Sequence, residues 1–115
     1  MKVPYKFVPK GWGYEKWFCN NEKFCGKLLF LAAGKKLSIH FHKLKWEFFY
    51  IHKGKVIIYH GNEKDSLTKE ILKQGDVFEV PIGLIHRLEA IEDSEVFEFS
   101  TQHFDEDSIR IEKGD

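Results

Sequence analysis

The sequence predicts an all-β barrel or sandwich, and three observations carry that expectation. Short runs rich in aromatic and β-branched residues recur along the chain, separated by turn signals. No segment holds a sustained apolar period of 3.6 residues, so helix should be minor. With 11 phenylalanines and 43% hydrophobic residues among 115, the chain can furnish one core but not two. A single domain over 1–115 is expected, with its core at about 12–110.

The elements follow from the punctuation. Strands are expected at 14–19 and 24–32, joined through Asn20-Asn21-Glu22-Lys23 as a hairpin turn. Ala33-Gly34 breaks the chain before a strand at 36–42. Lys53-Gly54 separates 47–51 from 55–60, and Gly61-Asn62 precedes 69–72. Gln74-Gly75 and Pro81-Ile82-Gly83 bracket 77–80, and strands at 85–91 and 95–101 complete the set. Residues 112–115 read as a loose tail.

Alternation along 36–42 sends Lys36, Ser38, His40 and His42 to one face and Leu37, Ile39 and Phe41 to the other. The second face is too apolar for water, and Phe48 and Tyr50 likewise face away from Glu47. Cover must come from another part of the chain, such as its N-terminal strands, or from another copy; a homodimer is expected.

The chemistry concentrates in two blocks. In Gly34-x5-His40-x-His42-x4-Glu47-x6-Gly54, two imidazoles share a strand face and a short connection can return Glu47 to the same interior. In Gly75-x5-Pro81-x-Gly83-x2-His86, a turn places one more imidazole. A His-x-His pair alone is common on solvent-facing strands. The glycines at fixed offsets and the Pro-x-Gly turn favour a site for one divalent transition metal ion, Zn, Mn, Fe or Ni, held by His40, His42, Glu47 and His86.

These blocks resemble the two motifs of the cupin superfamily, whose fold is a double-stranded β-helix, a small jelly-roll barrel. The first motif is matched in full. In the second, Ala90 stands where that family often has asparagine, which removes a polar group expected near His86. The resemblance narrows to the isomerase domain of type II phosphomannose isomerases. It is carried by Trp12-Gly13-Tyr14-Glu15, Lys36-Leu37-Ser38, His86-Arg87-Leu88-Glu89, Phe97-Glu98-Phe99-Ser100-Thr101 and Asp105-Glu106-Asp107-Ser108-Ile109-Arg110. Two departures are visible: His40 replaces the usual glutamine, and those isomerases are usually fused to a nucleotidyltransferase that these 115 residues do not contain.

The resemblance implies a metal-dependent aldose–ketose isomerase acting on a sugar phosphate of the mannose-6-phosphate type, in carbohydrate metabolism. Such a reaction needs a base. Glu98 is the first candidate: buried, its pKa would rise, whereas on the opposite parity it faces solvent. Lys36, Arg87 and Arg110 are the candidate cations for the substrate. Arg87, next to His86, should point away from the metal and could be structural, and Arg110 could pair with Asp105, Glu106 or Asp107. His52, His60 and His103 read as ordinary surface or core residues. Two other functions fit the ligand set: a non-catalytic module binding a sugar or nucleotide sugar, and an iron-dependent dioxygenase.

Eighteen basic and eighteen acidic residues cancel, which argues against a nucleic-acid surface. No apolar run reaches membrane-helix length and no secretory signal pattern opens the chain, so a cytoplasmic location is expected. Cys19 and Cys25 flank the hairpin turn and read as reduced thiols rather than a disulfide.

Overall fold

Strand alternation builds a molecule of two antiparallel sheets. The computed structural model describes residues 1–115. Its strands are β1 (Lys6–Lys10), β2 (Gly13–Asn20), β3 (Cys25–Leu31), β4 (Ile39–Phe41), β5 (Glu47–Lys53), β6 (Lys55–Gly61), β7 (Thr68–Lys73), β8 (Val77–Val80), β9 (Ile85–Ala90), β10 (Ser94–Ser100) and β11 (Ile109–Glu112). A 3-10 turn at Asp105–Asp107 is the sole helical element. One sheet runs β1-β2-β3-β10-β5-β8 and the other β11-β4-β9-β6-β7. From β4 onward the chain crosses between sheets at nearly every connection, the winding of the expected jelly roll.

One crossing shows why glycine is required. Gly54 alone joins β5 in one sheet to β6 in the other, at φ +88°, and a Cβ there would lie 2.5 Å from the Asp93 carbonyl oxygen. Neither the dihedral nor the space suits an L side chain.

Inside, three strands share a gradient. Phe49 and Ile51 follow Glu47 on the inward face of β5, Leu88 and Ala90 follow His86 on β9, and Val96 neighbours Glu98 on β10, all of them buried. The apolar halves join Trp12, Leu29, Leu31, Val56, Ile58, Leu72 and Val80 in one core. The polar halves face a cavity at the other end of the barrel.

All nine expected strands are present, but the one at 36–42 is cut to Ile39–Phe41, with Lys36 keeping a single bridge to Glu89. Its alternation fails at the start: Leu37 and Ser38 both line the cavity, and Leu37 packs on the core. Ile39 and Phe41 are half-buried, so this is not the open apolar face. That face lies on the outside of the six-stranded sheet, where Phe7, Phe18, Phe48, Val77 and Phe99 are 36–61% exposed.

Two strands were not expected. β1 reads KFVPK, whose lysines and proline suggest a loop; as an edge strand it tolerates both. β11 is the other edge, pairing Arg110 with His40. The final residues are docked rather than loose. Asp115 accepts a hydrogen bond from the Lys36 amide at 2.8 Å and donates its own amide to the Lys36 carbonyl at 2.9 Å. Residues 20–24 form the expected turn, with Asn21 Oδ1 accepting from the Lys23 and Phe24 amides. A bulge after Trp17 puts Cys25 opposite Asn20 rather than Cys19, and both thiols are free.

Candidate metal centre

His40 on β4 pairs across the ladder with His86 on β9. His42 follows β4 directly, and Glu47 opens β5 in the opposite sheet, reaching the same interior from across the barrel. One ring nitrogen from each histidine lies within 4.8 Å of the other two. Glu47 Oε2 stands 3.0 Å from His42 Nε2 and 3.6 Å from His86 Nε2. The structure thus brings the three histidines into one cluster and sets Glu47 against two of them, His42 and His86.

The tautomers follow from the second nitrogen of each ring. Nδ1 of His42 faces the Asp107 carbonyl at 3.1 Å, that of His86 the Leu84 carbonyl at 2.9 Å, and that of His40 the Ser38 carbonyl at 3.0 Å. A carbonyl only accepts, so each Nδ1 carries the proton and each Nε2 presents a lone pair. Burial, then the neighbouring histidines, hold His40 well below the usual imidazole range, and burial lowers His86. Both are therefore neutral near pH 7, the form that binds metal. His42 Nε2, His86 Nε2 and Glu47 Oε2 are buried without a hydrogen-bond partner. Lone pairs of like polarity turned toward one another are costly unless a cation sits among them. Three imidazoles and a carboxylate suit a first-row divalent ion, so the donor set fits such a metal.

Asp107 holds this arrangement. Its carboxylate accepts the amides of Lys43, Leu44 and Lys45 at 2.9–3.3 Å, gathering the crossing between His42 and Glu47 into one turn. Gly83 ties the two motifs by donating its amide to the His42 carbonyl at 2.8 Å.

A cavity of about 400 Å³ opens beside the four residues. Glu98 lines it, 4% exposed, rather than facing solvent. Burial alone would raise its carboxyl, as expected from sequence, but Lys45 and then Lys27 outweigh that and hold it at about 2. Lys45 Nζ donates to Glu98 Oε2 at 2.9 Å; burial would lower the lysine, but Glu98 and Glu47 raise it instead. The same ammonium lies 3.0 Å from His103 Nδ1, and His103 Nε2 is 2.9 Å from Asp105 Oδ1. Burial and the two lysines keep His103 below its usual range.

Of the cations expected to meet substrate, only Arg110 lines the cavity, and no carboxylate pairs with it. Lys36 is exposed and outside it, because the strand is broken there. Arg87 turns to the other side of β9, as parity requires. It donates to the Leu37 and Lys113 carbonyls at 2.7 and 3.1 Å and pairs with Glu112 at 2.9 Å, a structural clamp. Ala90 belongs to the apolar core and not to the cavity wall, so the missing asparagine leaves no gap beside the histidines.

Sequence reasoning missed Lys27, Lys45, His103 and Asp107. A signal existed for one of them: Lys27 occupies an inward position between Cys25 and Leu29 in a strand of strict alternation. The others are placed by loops, which carry no period.

With this geometry in hand, comparison with known proteins is direct. The family profile for a cupin domain matches residues 28–101. The chain belongs to the cupin family. Among solved structures, this cupin is similar to the capsular polysaccharide assembling protein CapF from Staphylococcus aureus, with a TM-score of 0.85 and 19% identity over 96% of this chain and 33% of that one. It is also similar to oxalate decarboxylase from Bacillus subtilis, with a TM-score of 0.82 and 19% identity over 93% of this chain and 30% of that one. Another structure of that decarboxylase, 20% identical, is described by its Mn(II) centres. The chain spans about a third of the length of these structures, and at such identities the likeness is one of fold. No curated protein sequence matches it.

Two outcomes are expected. Replacing His42 by alanine should abolish stoichiometric metal, read by elemental analysis, while leaving the circular dichroism spectrum of the barrel, whose core does not include the site. Glu98→Gln should cost about 3–5 kcal/mol at neutral pH, because it strands the buried Lys45 charge. The native carboxyl lies at about 2 and the ordinary value is 4.5, so its stabilisation is complete above pH 4.5 and is lost as pH falls toward 2. Urea midpoints of parent and variant should converge over that window.

Proposed function

We propose that this cupin binds one divalent transition metal through His40, His42, Glu47 and His86 and isomerises a sugar phosphate between aldose and ketose. The observation that carries the reading is the set of unpartnered Nε2 and Oε2 atoms at the edge of a polar cavity of about 400 Å³, large enough for a small sugar derivative. The phrases between Trp12 and Arg110 that resemble type II phosphomannose isomerases suggest the substrate class, mannose 6-phosphate. CapF, described as assembling capsular polysaccharide, is a neighbour in sugar chemistry.

A bound ion would polarise a carbonyl or hydroxyl of the substrate as a Lewis acid. The chain supplies the rest. Isomerisation takes a proton from one carbon and returns it to its neighbour, with a compensating transfer between the two oxygens. Glu98, held at about 2 as the counter-ion of Lys45, is a poor acceptor. His103 is the better base: it is neutral, its Nε2–H is directed to Asp105, and its Nδ1 lone pair, which accepts from Lys45, is freed when the ammonium turns to a substrate oxygen. Lys45, kept charged by Glu98, stands beside it as a fixed positive charge for the developing oxyanion, and Arg110 contributes charge at the cavity wall.

The reading extends to assembly and location. The aromatic outer face of the six-stranded sheet is the surface through which two copies pair, because Phe97, Phe99 and Phe18 form a continuous cluster there with centroids 6.2–6.3 Å apart. The two free thiols suit a reducing cytoplasm.

Incubation with mannose 6-phosphate in deuterated water should place deuterium at C1 or C2, dependent on metal and followed by NMR. His103→Gln should slow that exchange at least about 100-fold without releasing metal. Bound metal with no exchange would leave a sugar-binding module and remove the isomerase reading. Sedimentation equilibrium should show two chains per particle, dissociating when Phe99 is changed to aspartate; a monomeric parent would exclude the dimer.

A further inference from the structure

Lys27 acts in the site described so far only through its charge, which lowers Glu98 and His103; its own donors are unused there. It is 2% exposed, on the inward face of β3 between Cys25 and Leu29, and lines the cavity. Across the ladders its neighbours are Glu98 on β10 and Trp17 on β2. A buried ammonium normally finds carboxylates or carbonyls for its three donors. This one does not. The carboxylate oxygen it approaches, Glu15 Oε1, is 3.7 Å away, beyond hydrogen-bond reach. That oxygen already accepts the Trp17 indole N–H at 2.7 Å. The remaining contact is the face of the Trp17 ring, 3.9 Å from Nζ, which offsets part of the burial cost and takes up no acceptor.

The charges around it are otherwise engaged. Four carboxylates line the cavity: Glu15 is bound to Trp17, Glu98 to Lys45, Asp105 to His103, and Glu47 stands against His42 and His86. The other cations of the wall are Lys45, which is paired, and Lys6, Lys10 and Arg110, which make no ion pair. Basic groups therefore outnumber acidic ones in the cavity lining, and the acidic ones are committed.

We infer that Lys27 is the recognition point for an anionic oxygen group, a phosphate monoester or a carboxylate, on the ligand of this cavity, at a place separate from the four metal-ligating residues. The inference rests on the proposed function only in taking the cavity as the ligand site, and it assigns to Lys27 the role that the sequence suggested for Lys36 and Arg87. The ammonium gains the acceptor it lacks and the ligand is oriented with its charged end on β3. The Trp17 ring beneath Nζ keeps water from competing on that side.

The test is titration of the full chain with inorganic phosphate, and separately with acetate, at about pH 6, where lysines are charged. Binding is followed by the ¹⁵N resonance of the Lys27 ammonium and by calorimetry, in the parent and in His42→Ala. A saturable shift of that resonance by either anion, with affinity equal in both proteins, is expected, and the more effective anion names the ligand chemistry. Lys27→Gln should weaken binding about 10- to 100-fold, the loss of one charge-assisted hydrogen bond, and Lys27→Arg should restore it. A Lys27 resonance that neither anion moves overturns the assignment. So does phosphate binding that vanishes in His42→Ala and persists in Lys27→Gln. Because the resonance is read in the parent, a poorly folding variant does not decide the matter. Anion binding without deuterium exchange would remove the isomerase reading alone; exchange with an unmoved resonance would remove this one alone.

Discussion

The connection from His42 to Glu47 has to leave one sheet and enter the other within four residues, and Asp107 is what makes that passage rigid. Three consecutive amides that have no ladder partner converge on its carboxylate, while its own carbonyl accepts a hydrogen bond from His42 Nδ1–H. One residue thus sets both the path of the loop and the tautomer of an imidazole at its start. Lys45 rides on the same turn, so the ion pair with Glu98 and the contact with His103 depend on that anchor as well. A carboxylate satisfied by three backbone donors is a strong fixture because the charge is hydrogen-bonded without needing a counter-ion.

The barrel divides its interior between two tasks. The apolar ends of β5, β9 and β10 supply cohesion, and their other ends present charge to a cavity. Charge at such depth is tolerable when paired, which is the state of Lys45 and Glu98. It is costly at the Nε2 atoms of His42 and His86 and at Glu47 Oε2, where each unsatisfied group costs about 1–3 kcal/mol. The residues that hold the fold together are thus distinct from those left short of partners, and occupation of the site would add stability that the core does not supply.

Much of this was legible in the sequence where a rule with a fixed offset applied. Gly54 marks a crossing that no other residue could make, and the spacing from it back to His40, His42 and Glu47 survives folding intact. Strand alternation located the strands, but it failed where the chain leaves the sheet, so Leu37 and Lys36 were put on the wrong faces. β1 and β11 were unreadable because edge strands tolerate lysine, proline and glutamate that a central strand would exclude. The direction of the Glu98 shift was missed because it depends on Lys45, whose approach is decided by a loop clamp from residue 107. Burial can be guessed from parity; the identity of the neighbour cannot.

The order of strands within the sheets has a consequence for how the molecule comes to exist. β3 lies against β10, and β4 is flanked by β9 and β11, so neither sheet can close until the last third of the chain has arrived. Such distant pairings make closure entropically expensive and folding slow, on the order of milliseconds to seconds. His42 and His86 meet through that late step. Closure of the barrel and completion of the histidine cluster are therefore one event, and a lesion in β9 or β10 far from the histidines would scatter them as surely as a substitution among them.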